Sequence, residues 1–126
     1  MAAALMFTLL AGLPLLGVLP AAAHAIVLES VPARDAVLDR APERAILRFN
    51  STIEKRLTRV TLTAEGGAPV PLPIASDGPS GAQQPDRLVI PLHPLPAGRY
   101  VIRYKVLSAD GHITEGALRF TVTGSQ

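Results

Sequence analysis

The sequence has no cysteine and no tryptophan, and its two methionines, Met1 and Met6, both fall at the very start. No disulfide can brace the chain, so an apolar core has to hold it. Past Met6 there is no sulfur at all, which removes the donors a soft metal ion prefers. Aromatics are scarce, with two tyrosines and three phenylalanines. A concentrated basic stripe is missing too: 12 basic and 10 acidic residues are spread along the chain, and the one local cluster is Lys55, Arg56 and Arg59. Nucleic-acid binders combine such a stripe with aromatic platforms, so no nucleic-acid partner is expected. The charges are assigned to solvated strand faces.

Charge is absent from residues 1–23, a Leu/Ala/Val-rich run ending in Ala21-Ala22-Ala23. Small residues at −3 and −1 before His24 mark an export signal, although its first residues lack the usual Lys or Arg. Gly12, Pro14, Gly17 and Pro20 interrupt the run, which suits a cleaved leader better than the alternative, a retained membrane anchor. The expected organisation is a signal peptide, 1–23, and one exported domain, 24–126. Removing 23 of 126 residues leaves 103, close to the roughly 100 of an immunoglobulin-like sandwich.

That domain reads as strands and turns. Ala25–Leu28 suits a first strand, and Ala36–Leu38 a loop docked on the core. In Arg44–Asn50 the alternation sends Leu47 and Phe49 inward. Ser51–Arg56 reads as a loop or an irregular turn. Leu57–Thr63 buries Val60 and Leu62. Val70, Leu72 and Ile74 alternate with Pro71 and Pro73, which confines that segment to an edge. Residues 75–86 look least structured. Arg87–Leu92 is a strand, Arg99–Leu107 points Tyr100, Ile102, Tyr104 and Val106 one way, and Gly116–Val122 closes the domain. With no amphipathic helix, the fold class is all-β: an antiparallel Greek-key sandwich or barrel of about seven strands.

The chain is organised around Val106–His112. Asp110 and His112 stand two residues apart, on one face in extended backbone, and Gly111 lets the chain turn so that both converge. If cleavage falls before His24, the mature chain begins with histidine, whose α-amine and imidazole can chelate one metal ion. Taken alone, Asp-Gly-His in a loop is ordinarily a turn with Asp bonding the backbone, and a terminal histidine is a common accident. Their conjunction in a sulfur-free exported sandwich points to His24, Asp110 and His112 as metal ligands. His93, between Leu92 and Pro94, reads as a surface loop histidine. No catalytic residue is assigned.

His24 after the leader, Ser30-Val31-Pro32-Ala33, Leu47-Arg48-Phe49, Leu95-Pro96-Ala97-Gly98-Arg99-Tyr100 and Ser108-Ala109-Asp110-Gly111-His112 occur in one order. In that order they resemble the CopC family of periplasmic copper-resistance proteins. The resemblance implies a β-barrel-like sandwich that holds one Cu(II) through the amine and imidazole of His24, Asp110 and His112. It also implies a membrane partner, a multi-span copper importer of the CopD type. Three departures stand out. No methionine follows the leader, so the Cu(I) site of some members is not expected. Asn50-Ser51-Thr52 stands where many members carry a glutamate, with Glu54 the first acid, so an auxiliary acidic contact is not expected either. Tyr104 stands where tryptophan is common.

The donor chemistry agrees with that reading. Cu(II) favours nitrogen and oxygen in tetragonal geometry and tops the divalent affinity order. Three functions compete: a Cu(II) carrier or buffer; a copper-dependent oxidative enzyme, since lytic polysaccharide monooxygenases also use a terminal histidine; and a structural sandwich with incidental histidines. The carrier is favoured and an enzyme is not expected, because four protein donors leave few equatorial positions for oxygen. The sequence shows no flat aromatic surface for a polymer.

Overall fold

In the computed structural model the described residues are Gly17, 25–75 and 84–124. The leader, apart from Gly17, lies outside them, as do residues 76–83 of the segment expected to be least structured. Eight strands and one short 3-10 turn are present among the described residues. The strands are β1 (Val27–Val31), β2 (Ala36–Leu38), β3 (Arg44–Phe49), β4 (Arg59–Ala64), β5 (Val70–Pro71), β6 (Arg87–Pro91), β7 (Gly98–Leu107) and β8 (Ile113–Val122). They form two sheets, ordered β1-β3-β6 and β2-β8-β7-β4-β5.

The period-2 alternation decides which side chains enter the space between the sheets. β3 buries Ala45, Leu47 and Phe49, and β6 adds Leu88 and Ile90. From the larger sheet come Val60 and Leu62, the four even residues Tyr100 to Val106, and Leu118, Phe120 and Val122. Phe49 meets Tyr104 edge-on at 5.7 Å across the core, and Tyr100 stacks on Phe120 at 5.5 Å. Tyr100 lies near the start of β7, and its hydroxyl donates to the Pro96 carbonyl at 2.5 Å. This is the tyrosine-corner arrangement of Greek-key sandwiches, which ties a strand to the connection before it. Tyr104 lies opposite Gly116 on β8, where a Cβ would stand 2.2 Å from its hydroxyl. The ring therefore occupies the space of the missing side chain.

Two sequence readings change. Ala36–Leu38 is not a docked loop but β2, which pairs in parallel with β8 through Ala36, Val37 and Leu38 opposite Phe120, Thr121 and Val122. Three residues are too few to show a strand's period. β1 begins at Val27 rather than Ala25 and runs on to Val31, leaving Leu28 exposed. β5 is the expected proline-bearing edge, and the irregular turn before β4 is the 3-10 turn Lys55–Leu57.

Candidate metal centre

β7 and β8, ten residues each, form a hairpin, and Ser108–His112 is its loop. The Ser108 amide donates to the His112 carbonyl at 2.9 Å, and the Gly111 amide to the Ser108 carbonyl at 2.9 Å. Segment 52–54 holds the loop from the other side. The Ala109 amide donates to Thr52 O at 2.9 Å, and the Glu54 amide to Leu107 O at 2.8 Å. Gly111 has φ +90°, yet nothing lies within 4 Å of where its Cβ would stand. The demand for glycine there is conformational, not steric.

The loop brings Asp110 and His112 together. Asp110 Oδ2 lies 3.2 Å from His112 Nδ1, both side chains being partly exposed. Asp110 Oδ1 accepts the His112 amide at 3.2 Å and the hydroxyl of Ser108, a buried side chain. That hydroxyl's single proton faces a second acceptor, the His112 carbonyl at 3.0 Å. The Ser108 hydroxyl above all, and then the His112 amide, hold the Asp110 carboxyl below the usual carboxylate range. The turn expected of Asp-Gly-His is thus present, and it does not use up the carboxylate. A carboxylate offers about four lone-pair sites, and these bonds take two on Oδ1 and one on Oδ2.

His24 lies outside the described residues, and among those described no cluster of three or more His, Cys, Asp or Glu occurs. The next residue is described. Ala25 is buried, and its amide donates to Thr114 Oγ1 at 3.2 Å. The Ile26 amide donates to Asn50 Oδ1 at 2.8 Å, and the Asn50 amide returns a bond to Ile26 O at 2.9 Å. Thr114 stands two residues past His112 on the side of β8 that buries Leu118 and Phe120. The chain entering β1 is therefore fastened beside the hairpin loop. Glu54 touches that loop through its backbone while its side chain is exposed, and His93 is exposed in the β6–β7 connection.

Sequence reasoning did not single out Thr114, Asn50 or Ser108. Thr114 had a weak signal, the shared parity with His112. Asn50 had one as well, a polar side chain closing an apolar strand. Ser108 had one too: it continues the even parity that buries Tyr100 to Val106, and its bridge with Ile53 closes over it.

Comparison with known proteins agrees with this architecture. Residues 27–123 match the family model described as the CopC domain. Copper resistance protein C of Escherichia coli is 33% identical over 106 residues, covering 81% of this chain and 83% of that protein. Protein YobA of Escherichia coli K12 is 29% identical over 102 residues, with 79% of each covered. Among solved structures, CopC from Methylosinus trichosporium OB3b superposes with a TM-score of 0.70 at 27% identity, covering 82% of this chain and 97% of that one. PcoC, a methionine-rich copper resistance protein from Escherichia coli, gives 0.63 at 31% identity, covering 80% and 100%. With the family model matched over most of its length, the chain belongs to the CopC family.

Proposed function

We propose that this protein is a periplasmic Cu(II) carrier whose mature domain begins at His24. The α-amine and imidazole of His24, the Asp110 carboxylate and the His112 imidazole supply the donors. The observation that carries the reading is the bond from the Ala25 amide to Thr114 Oγ1 at 3.2 Å. It fixes the residue after His24 two positions beyond His112, within one side chain's reach of the loop. The names of the relatives, copper resistance proteins, supply the class of cargo.

The donor set suits Cu(II). Two imidazoles, an amine and a carboxylate fill about four equatorial positions with nitrogen and oxygen. Asp110 keeps one Oδ2 lone pair, and its contact with Nδ1 orients the His112 ring as outer-sphere carboxylates orient ligand imidazoles. With no methionine past Met6, the cargo is Cu(II) rather than Cu(I). Four protein donors bind and release the ion rather than activate oxygen on it, so the role is sequestration and delivery, the receiver being a membrane copper importer of the CopD type.

The test is the intact mass of the exported protein with one equivalent of Cu(II), paired with its EPR spectrum. A mass beginning at His24 and one tetragonal, nitrogen-coordinated Cu(II), lost in His112→Ala and weakened in Asp110→Ala, is the expected result. A retained leader, or weak copper binding indifferent to both substitutions, would overturn the reading.

A further inference from the structure

We infer that the outer face of the five-stranded sheet is a docking surface for an acidic segment of a partner protein. This inference stands apart from the metal site. Arg59 on β4, Arg99, Arg103 and Lys105 on β7 and Arg119 on β8 are far apart in sequence, yet pairing registers set them on one face. Arg59 lies beside Lys105, which lies beside Glu115; Arg99 lies across from Thr121. Of the acids there, Glu115 stands 3.6 Å from Lys105 and Glu65 3.8 Å from Arg99, while Asp35 lies beside Arg119, its amide donating to the Arg119 carbonyl at 2.8 Å. Five cations and three acids share the face, leaving seven of each in the rest of the sequence. The chain's whole positive excess is therefore concentrated here.

The centre of the face is open to a ligand. Arg103 and Arg119 have no acidic group within 4.0 Å among the described residues. They line a shallow depression of about 460 Å³, and Arg103 also borders a second of about 250 Å³ beside it. Guanidinium forks match carboxylates, which they bind in bidentate fashion. A bilayer of anionic lipid fits less well, since four of the five cations are arginine and three of these, Arg99, Arg103 and Arg119, line a depression rather than a flat surface. The face begins at Lys105 and Glu115, three residues from the hairpin loop, and runs away from it along β7, so a segment lying on it has one end near Asp110 and His112.

The test is NMR titration of the exported protein with capped hexaglutamate, in low and moderate salt, and in parallel with phosphatidylglycerol vesicles. Arg103→Glu with Arg119→Glu is compared with Arg40→Glu and Arg44→Glu, which make the same change of net charge at exposed sites elsewhere. The expected result is amide shifts confined to β4, β7 and β8, weakened by salt, with affinity lowered about tenfold or more by the first pair of substitutions and little by the second. Equal losses in both double variants would reduce the effect to net charge and overturn the proposal. So would vesicle binding through this face with no response to the peptide.

Discussion

Replacing Thr114 by valine tests how the proposed amino-terminal ligand would be held. Valine keeps the β-branched shape and the strand preference, so β8 and its pairing with Val106 are undisturbed. What is lost is Oγ1, the acceptor of the Ala25 amide at 3.2 Å. Ala25 is 3% exposed, so its amide cannot turn to water without the segment lifting off. An amide stranded in this way costs about 1–3 kcal/mol. The segment has a second fastening, the paired bonds between Ile26 and Asn50, so it loosens at its end rather than detaching. The lower part of the range applies. On the proposed ligand set, about 1–1.4 kcal/mol of lost preorganisation weakens Cu(II) binding by about five- to tenfold.

The assay is competition against a chelator of known affinity, with the mature terminus checked by mass. Thr114→Ser, which keeps the hydroxyl, restores most of the affinity. Thr123→Val removes a comparable hydroxyl bond, to the Leu38 carbonyl at 3.1 Å, far from the loop; it changes stability and not copper binding. A second readout is spectroscopic. With its proton held by Thr114, the Ala25 amide is not a copper donor. Freed in the valine variant, it can lose that proton to hydroxide at alkaline pH, and the amide nitrogen is then available to Cu(II), which would shift the d–d band. Unchanged affinity with an unchanged spectrum would refute the reasoning. A loss as large as that of His112→Ala would refute it in another way, by making Thr114 a ligand.

Gly116→Ala sets a Cβ in overlap with the Tyr104 hydroxyl and the ring carbon that bears it, Cζ; the overpacking costs about 1–3 kcal/mol, read as a lower urea midpoint, and Tyr104→Phe combined with it recovers part of the loss. Alkaline stability follows from the tyrosines: burial raises both the Tyr100 and the Tyr104 hydroxyls, so the stability they carry is full below the ordinary tyrosine range of about 10 and is lost as pH climbs through the raised folded values. Phenolate absorbance should appear only together with unfolding. Copper affinity should fall as pH drops, because protons compete with the metal for its nitrogen donors; chelator competition from neutral to acidic pH measures the slope, and a flat profile would exclude imidazole ligands.

Most of the sandwich was legible because alternation fixes the facing of each long strand. Leu47 and Phe49, Val60 and Leu62, and the even residues of β7 all point inward as their spacing requires. What alternation cannot reach is pairing between distant segments. β2 is too short to carry a period and becomes a strand only against β8. The cations at 59, 99, 103, 105 and 119 look dispersed in the sequence, and only the registers of β4 with β7 and of β7 with β8 collect them. The same limit governs the proposed metal centre. The closeness of Asp110 and His112 was readable because two residues in one loop must lie close together. The fastening of residues 25 and 26 spans 89 and 24 positions, and it puts the start of the domain beside a loop near its end. That closure makes the proposed chelate a property of the fold: any change that peels β1 away from β3 should weaken copper binding even with all three ligands intact. Glu29 and Arg48 supply the means of checking it. They pair across these two strands at 3.0 Å, on the surface and away from the loop. Glu29→Gln should leave the loop unchanged, and copper binding should weaken only to the extent that amide exchange in β1 speeds up.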